Sequence, residues 1–335
     1  MELLQLQCPT CKSAVLQSHT TYATQHHGRR IIYKCASCLD YFSETKTTLM
    51  EGLKTPVSVI WQVLKARTEG MGFNAAARTF EKAKNTILAW EGKFSDLHQV
   101  LFLYALVHEF FALVIEGDEA YTKVQKNVPP EQSPGWTILL LDRASRFIWE
   151  LECGKKERKL FKKAIKSLDS ITRHTHDLSL FTDGERRYGN LLFEICHELV
   201  KNGKPGRPKK TFKRGVHVRV KNKGAQAHKK GPKRPKYQSP WTEHPATART
   251  IAETDIHANH AEAFLSALRR KCATFRRKTN TYAKATTGLQ RLLRVYWVVH
   301  NFLRVHFTTR EVPAVALGLL ERRLSVQEIF QIQMA

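Results

Sequence analysis

The chain has 335 residues, which gives room for two or three domains that each bury a hydrophobic core. Its hydrophobic content of 42% fits a globular protein. Lys and Arg number 55 against 30 Asp and Glu, and the net charge of +25 predicts a polyanionic partner, nucleic acid rather than a membrane surface.

The sequence gives no sign of a membrane segment. The longest apolar region, 100–115, contains His108 and Glu109 and is too short and too charged to span a bilayer. The N-terminus lacks the basic-then-apolar pattern of a signal peptide. We therefore expect a soluble, intracellular protein that does not bind membranes.

Four of the seven cysteines form two CxxC pairs with 23 residues between them. Four thiolates presented in pairs from tight turns suit tetrahedral zinc, and a module of about 40 residues needs that metal because its core is too small. A redox CxxC motif would not require a second copy. We predict a structural zinc ribbon over 1–50, with Zn²⁺ bound by Cys8, Cys11, Cys35 and Cys38.

Residues 51–95 show a pattern of short helices. A first amphipathic helix is followed by a break at Gly70 to Gly72, then by helices over 74–80 and 82–91. This length pattern predicts a helix-turn-helix, and a generic three-helix connector is the alternative. The last helix would offer Lys84, Asn85 and Thr86 to a DNA groove.

The apolar run at 111–124 predicts a buried strand that ends in acid, at Glu116, Asp118 and Glu119. Burial of a carboxylate at the end of a central strand costs desolvation free energy unless a cation neutralises its charge. A divalent metal ion is one such cation. Asp118 is therefore a candidate metal ligand. The alternative is an ordinary strand-to-turn transition with the acids facing water.

The elements that follow indicate an α/β domain. We predict strands over 136–142 and 146–150, a basic helix over 155–168, a strand over 178–181 and a helix over 185–200. This order resembles the opening of the ribonuclease-H-like fold, in which the first strand and the end of the fourth lie side by side. The resemblance would bring Asp118 and Asp183 together, although 65 positions separate them.

A basic segment follows the first part of that domain. Between Lys201 and Trp241 there are 15 Lys and Arg residues and no acid, so we expect an insertion over 201–245 that contacts DNA. The stretch around Arg207 resembles an AT-hook core, and alternating valines predict a strand over 216–220. The proposed contacts in this segment are Arg207, Lys209, Lys210, Arg219, Lys229 and Lys230.

Helical periodicity resumes after residue 252. Ala261, Phe264, Leu265 and Leu268 form one buried stripe, and Glu262 lies at its edge, from where it can reach the end of a strand. Basic residues continue from this helix into the following segment. The proposed DNA contacts among them are Arg269, Arg270, Arg276 and Arg277.

Three converging carboxylates would repel one another without counterions, and two divalent cations about 4 Å apart are the usual solution. Hard oxygen ligands favour Mg²⁺ or Mn²⁺, and such a site supports in-line displacement at phosphorus. The trio predicted to act together is Asp118, Asp183 and Glu262. Rivals for the third position are Glu185, Glu253 and Asp255.

Taken together, these motifs resemble bacterial insertion-sequence transposases of the DDE type with an N-terminal zinc ribbon, similar to the insertion-sequence-one group. The matching stretches cover nearly the whole chain. They are CPTC with CASCLDYFSETKTTLM, GDEAYTKV, LFTDGERRY, HANHAEAFLSALRR with RRKTNTYAK, and VHNFLRVHFTTREVPAVALGLL.

The resemblance implies a ribonuclease-H-like catalytic domain in two parts, 96–200 and 246–310, with a helical cap over 311–335. It implies that Asp118, Asp183 and Glu262 bind magnesium, and that the ribbon and the following helices recognise the terminal inverted repeats. The expected activity is metal-dependent cleavage of DNA and strand transfer to target DNA. The protein is then expected to act as a homo-oligomer in the cytoplasm, associated with the nucleoid. The 78 residues between the second and third acids exceed the gap in compact members.

Two other classes of function fit the same sequence. One is a DNA-binding regulator without chemistry, derived from a transposase. The other is a structure-specific nuclease on the same fold, such as a junction resolvase, which would cut DNA without joining it.

Overall fold

The computed structural model describes residues 3–126, 128–182, 185–201, 203, 206–220, 241–242, 252–276 and 281–334. Within these ranges the protein is a mixed α/β structure with a small N-terminal β-sheet, a helical region and a large mixed sheet. The large hydrophobic core spans the helical region and the mixed sheet, and the N-terminal module has a small core of its own.

The N-terminal module is a three-stranded antiparallel sheet of β1 (Leu16–Thr24), β2 (Gly28–Cys35) and β3 (Tyr41–Ser43). Most of β1 is exposed. The buried centre of the module consists of Cys8, Cys35 and Phe42, which is far too little apolar area to hold a fold by itself.

Three helices follow, α1 (Val57–Thr68), α2 (Phe73–Thr79) and α3 (Lys84–Leu106). The predicted break between the first two is confirmed. Gly70 has a φ of 101°, and an added Cβ would lie 3.3 Å from the carbonyl oxygen of Lys271. Glycine suits this position because the backbone is left-handed and a neighbouring chain passes close by.

Helix α3 corrects the prediction from the sequence, in which the last helix of this region covered only 82–91. The structure has one helix of 23 residues. Ile87, Phe94, Leu97 and Leu101 are all buried along it, and the helix packs against the segment Thr286–Val298. Because this continuous apolar stripe is buried, the helix continues through the polar residues at its middle.

The second half of the fold contains a meander, two helices and further strands. In chain order these are β4 (Phe110–Tyr121), β5 (Trp136–Asp142), β6 (Ile148–Gly154), α4 (Arg158–Ile171), β7 (Thr175–Thr182), α5 (Arg187–Ile195), β8 (His197–Val200), β9 (Lys209–Phe212), β10 (Val216–Val220) and β11 (Trp241–Thr242).

Six of these strands form the large sheet, in the order β11-β10-β7-β4-β5-β6. The meander β4-β5-β6 is antiparallel, whereas β7 runs parallel to β4 and β10 runs parallel to β7. The predicted strands over 136–142 and 216–220 are confirmed. Because β10 is part of this sheet, residues 216–220 belong to the domain and not to an inserted arm.

The last part of the chain adds α6 (Asn259–Lys271), α7 (Thr286–Val298), a π-helical turn Val299–Leu303, α8 (Pro313–Ala316) and α9 (Val326–Gln331). Helix α6 packs on β4 and β5, and α7 packs on β6. Helices α4 and α5 pack together, and their contacts with the sheet come from its opposite face. The sheet is thus covered on both sides.

The C-terminal segment joins the other regions. The hydroxyl of Tyr104 donates to the carbonyl of Leu319, the rings of Phe94 and Phe330 lie 5.8 Å apart, and Met334 N–H donates to Thr47 O. Among the described residues, no helix has the length and apolar character needed to cross a bilayer.

Candidate active site and zinc centre

The four predicted zinc ligands lie together in the N-terminal module. The Sγ atoms of Cys8 and Cys38 are 3.5 Å apart, as are those of Cys11 and Cys35, and all four lie within 4.8 Å of one another. A tetrahedron with Zn–S bonds of about 2.3 Å would separate the sulfur atoms by about 3.8 Å. The donor set therefore fits Zn²⁺, and small adjustments of the side chains would complete the site.

The two cysteine turns have the same backbone geometry. The residue after each pair is left-handed, with φ of 61° at Lys12 and 63° at Leu39. The N–H of that residue donates to the carbonyl oxygen of the first cysteine of the pair, from Lys12 to Cys8 O and from Leu39 to Cys35 O. Backbone N–H groups of Cys38 and Ser37 bond to the sulfur of Cys35 and lower its pKa to about 6, which favours the thiolate at this ligand. Despite a backbone hydrogen bond from Asp40, burial and the neighbouring thiols raise the pKa of Cys38 to about 12.

The acids of β4 divide between the two faces of the sheet, as alternation along a strand requires. Glu119 lies on the face of α4 and α5, where Lys156 Nζ is 2.7 Å from its carboxylate and the Tyr188 hydroxyl donates to it over 3.3 Å. Glu116 and Asp118 lie on the other face, beneath α6. The acidic stretch therefore places carboxylates on both faces of the sheet.

Glu116 is fully buried and anchors the start of α6. Its Oε2 accepts hydrogen bonds of 2.9 Å from the backbone N–H groups of His260 and Ala261. Its Oε1 accepts a 2.7 Å bond from Arg143 Nε and lies 2.8 Å from Nδ1 of His260. A carboxylate at a helix N-terminus satisfies free N–H groups and interacts favourably with the helix dipole.

Arg143 extends this anchor to the segment before α6. Its two terminal nitrogens donate to the carbonyl oxygens of Asp255, over 2.8 Å, and His257, over 2.6 Å. The guanidinium group also lies 4.5 Å above the ring of Phe181 on β7. One arginine thereby holds β4, β7 and the entry to α6 in a fixed relation.

The surroundings of Glu116 favour its charged form. Burial by itself raises the pKa of the carboxyl group. The hydrogen bonds from His260 and Ala261 and the positive charge of Arg143 outweigh burial, so that the pKa lies below its ordinary value of 4.5.

This anchor fixes the N-terminus of the helix that carries Glu262. Glu262 lies in the first turn of α6, two residues after His260, and Asp118 lies two residues after Glu116 on the same face of β4. Both side chains are partly buried. The structure therefore brings the helix that bears Glu262 onto the strand face that bears Asp118.

Asp183 lies outside the described residues, as does Gly184. The register of the two parallel strands is described up to the pair Gly117 and Thr182. The residues that follow this pair in the chain are Asp118 and Asp183. The side-by-side arrangement of β4 and β7 agrees with the expectation from the sequence.

The rivals of Glu262 occupy other places. Glu185 is held by Arg187 through bonds of 2.8 and 2.7 Å, with Lys156 at 3.8 Å. Glu253 and Asp255 form a 3₁₀ turn before α6, and Asp255 is exposed. The assignment of Glu262 as third acid stays a prediction.

The sequence analysis missed the residues that fix α6. Glu116 was noticed only as part of an acidic stretch, and Arg143, His257 and His260 were not noticed. The ligand atoms of Glu116, His257 and His260 lie within 4.8 Å of one another, so this group could hold a metal ion. The guanidinium of Arg143 already neutralises Glu116, which disfavours a second cation there.

The proposed DNA contacts are spread over several surfaces. Lys84 and Asn85 are exposed and Thr86 is partly buried in the first turn of α3. Arg207, Lys209, Lys210, Arg270 and Arg276 are exposed, Arg269 is partly buried, and Arg219 lies on β10. Lys229, Lys230 and Arg277 lie outside the described residues.

Comparison with models of protein families gives no match for this chain, and a search among curated proteins gives none either.

Proposed function

We propose that the protein is a DDE-type transposase that cleaves DNA at the ends of an insertion sequence and joins those ends to target DNA. The observation that carries this proposal is the anchoring of α6 by Glu116, because the helix that bears Glu262 packs on the strand face that bears Asp118. The parallel pairing of β4 with β7 supports a ribonuclease-H-like arrangement, because it sets the first strand beside the fourth.

Under this proposal the metal ligands are Asp118, Asp183 and Glu262. Carboxylate oxygens are the donors that Mg²⁺ and Mn²⁺ prefer, and Glu116 is excluded from the set by its bonds to Arg143 and His260. Two bound divalent ions would activate a water or a 3′-hydroxyl and stabilise the leaving oxygen at phosphorus. The task of the chain is to hold its three acids and the DNA backbone in line.

The rest of the molecule supports binding to DNA. The net charge of +25 supplies cations for phosphate contacts, and the first turn of α3 presents polar and basic side chains to solvent. The zinc ribbon and the three helices that follow it would recognise the terminal inverted repeats. Two ends must be processed together, so we expect a homo-oligomer on DNA.

The test compares single variants in a cleavage assay on DNA that carries both ends of the element. We expect Asp118→Asn, Asp183→Asn and Glu262→Gln each to abolish Mg²⁺-dependent cleavage while binding of the ends persists. Glu119→Gln and Asp255→Asn are matched controls, because these acids lie beside the proposed site but outside it, and they should keep most activity. Normal cleavage by Asp118→Asn or Glu262→Gln would overturn the assignment.

A second assay separates a transposase from a nuclease on the same fold. DNA ends that are already cleaved and carry a free 3′-hydroxyl are mixed with a circular target. Joined products support the transposase. Cleavage of ends without any joining would identify a nuclease instead.

A further inference from the structure

A cavity of about 360 Å³ lies beside α6, and nothing in the proposed active site uses it. Its volume falls within the usual range of ligand pockets, about 300 to 1,000 Å³. The walls come from α6, the π-helical turn, the β5–β6 hairpin and the segment after the turn. The polar lining residues used below are Arg146, His260, Lys271, Arg304, His306 and Thr308.

The cavity is strongly cationic. Arg146, Lys271 and Arg304 line it together. Glu69 contacts Arg304 and lies 3.8 Å from Lys271, and the charges of Glu116 and Asp142 act on Arg146. Burial, followed by the positive charge of Arg304, lowers the pKa of Lys271. The three cations line the cavity and none of these acids does, so the cavity attracts an anion.

Two of the arginines have N–H groups in need of an acceptor. The Nη1 atoms of Arg146 and Arg304 are buried and have no hydrogen-bond partner among the described residues. A buried donor without an acceptor is costly, so such groups often indicate a ligand. An oxyanion in the cavity would supply acceptors to both.

The hairpin that carries Arg146 is held firmly. Arg146 has a φ of 65°, a conformation that costs energy for a residue other than glycine. Its carbonyl accepts a 2.9 Å bond from Nε2 of the buried His300, and the Asn301 side chain bonds to both backbone groups of Ile148 over 2.9 Å. The motif VHNF therefore positions Arg146, a role that the active site does not explain.

The mouth of the cavity is apolar and aromatic. Phe307 is 78% exposed and Val305 is 47% exposed, and both line the cavity together with Thr308. An exposed aromatic ring beside a cationic pocket suits a nucleotide, because the phosphate meets the arginines while the base stacks on the ring.

The cavity also lies next to the proposed active site. His260 lines it and contacts Glu116 on the opposite side, and the charge of Glu116 acts on Arg146. DNA bound at Asp118 and Glu262 could therefore continue into the cavity.

We propose that this cavity binds one nucleotide of a DNA strand, with the phosphate between Arg146, Lys271 and Arg304 and the base against Phe307. Its role in guiding the strand rests on the proposed function, but binding itself needs no cleavage. The ligand class is a phosphodiester-linked nucleotide; an acidic peptide or free phosphate would lack the base that Phe307 receives.

The first experiment measures binding of a short single-stranded oligonucleotide to the full zinc-loaded chain, without Mg²⁺, by fluorescence anisotropy. We expect Arg146→Gln to weaken binding at least about tenfold, because a hydrogen bond to a charged phosphate is lost. The salt dependence should flatten by about 0.7 log units per log unit. Lys162→Gln on α4 removes an equal charge from an exposed position on the opposite face and should change binding little.

A second experiment locates the base. An oligonucleotide with 5-iodouracil is cross-linked by light, and the modified peptide is identified by mass spectrometry. Cross-links to the peptide that contains Phe307, which Phe307→Ala removes, support the proposal. Equal binding by Arg146→Gln and Lys162→Gln, full competition by a polyglutamate peptide or by inorganic phosphate, or cross-links confined to 206–220 would each overturn it.

The two proposals fail separately. Asp118→Asn should bind the oligonucleotide as the wild type does, since it does not line the cavity. If Asp118→Asn still cleaves DNA but Arg146→Gln binds poorly, the active-site assignment fails and the nucleotide site stands. If Asp118→Asn loses cleavage and Arg146→Gln binds normally, the nucleotide site fails and the active-site assignment stands.

Discussion

The zinc ribbon and the acidic end of β4 both gather ligand atoms, but they do so over very different lengths of chain. The sulfur atoms of the ribbon come from two CxxC turns that share one backbone geometry and lie close in sequence. Glu116 and His260 are 144 positions apart, and the anchor between them exists only after β4, the β5–β6 hairpin and α6 have packed. A short-range module of this size needs its metal to fold, whereas the long-range anchor forms only together with the fold of the segments that it joins.

Removal of zinc should give the largest effect and tests the ribbon side of this contrast. Cys35→Ala, or a chelator, should unfold the module formed by the two cysteine turns and β1 to β3, because structural zinc supplies about 10 to 16 kcal/mol to such small modules. Residues 1–50 contain no Trp, and the fully buried Trp149 and Trp297 lie in the large core. We therefore expect protease cleavage in the ribbon while tryptophan fluorescence stays native.

Cys153→Ala is the control for that experiment, since Cys153 lies on β6 outside the cysteine cluster. It should leave both the zinc content and the protease pattern unchanged. Simultaneous loss of the native tryptophan signal on chelation would mean that the ribbon and the large core form one folding unit, and the contrast would break down.

Removal of the Glu116 carboxylate tests the other side of the contrast. Glu116→Ala leaves Arg143 and the N-terminus of α6 without their buried partner, and a loss of about 3 to 5 kcal/mol in the free energy of unfolding is expected. Urea unfolding followed by tryptophan fluorescence measures it. Glu109→Ala, at an exposed position just before β4, should stay within about 0.5 kcal/mol of the wild type. Similar stability of the two variants would show that Glu116 does not anchor α6.

The smallest expected effect is a pH dependence of the stability that Glu116 contributes. Because the folded-state pKa of Glu116 lies below 4.5, its stabilisation is present above pH 4.5 and is lost as the pH falls through the folded-state pKa. The stability advantage of the wild type over Glu116→Gln should therefore be constant from about pH 5 to 6 and shrink below pH 4.5. A gap that grows on acidification would contradict a lowered pKa.

Much of the fold could be predicted because its signals are local. The strands at Trp136–Asp142 and Val216–Val220 were predicted with the bounds that the structure has, since apolar runs and strict alternation are read from neighbouring residues. The four cysteines were found for the same reason. The predicted length of α3 was wrong, because the polar residues at its middle look like the end of a helix until the packing against α7 is known.

Residue type and spacing within a few positions are enough to predict the alternation of acids along β4, the paired cysteine turns and the excess of positive charge. That Glu116 anchors α6 and that Glu119 belongs to the other face follow from the packed fold alone. The same holds for the cavity that Arg146, Lys271 and Arg304 share. Burial and hydrogen-bond partners are set by segments that meet in space, and no local pattern records which segments meet.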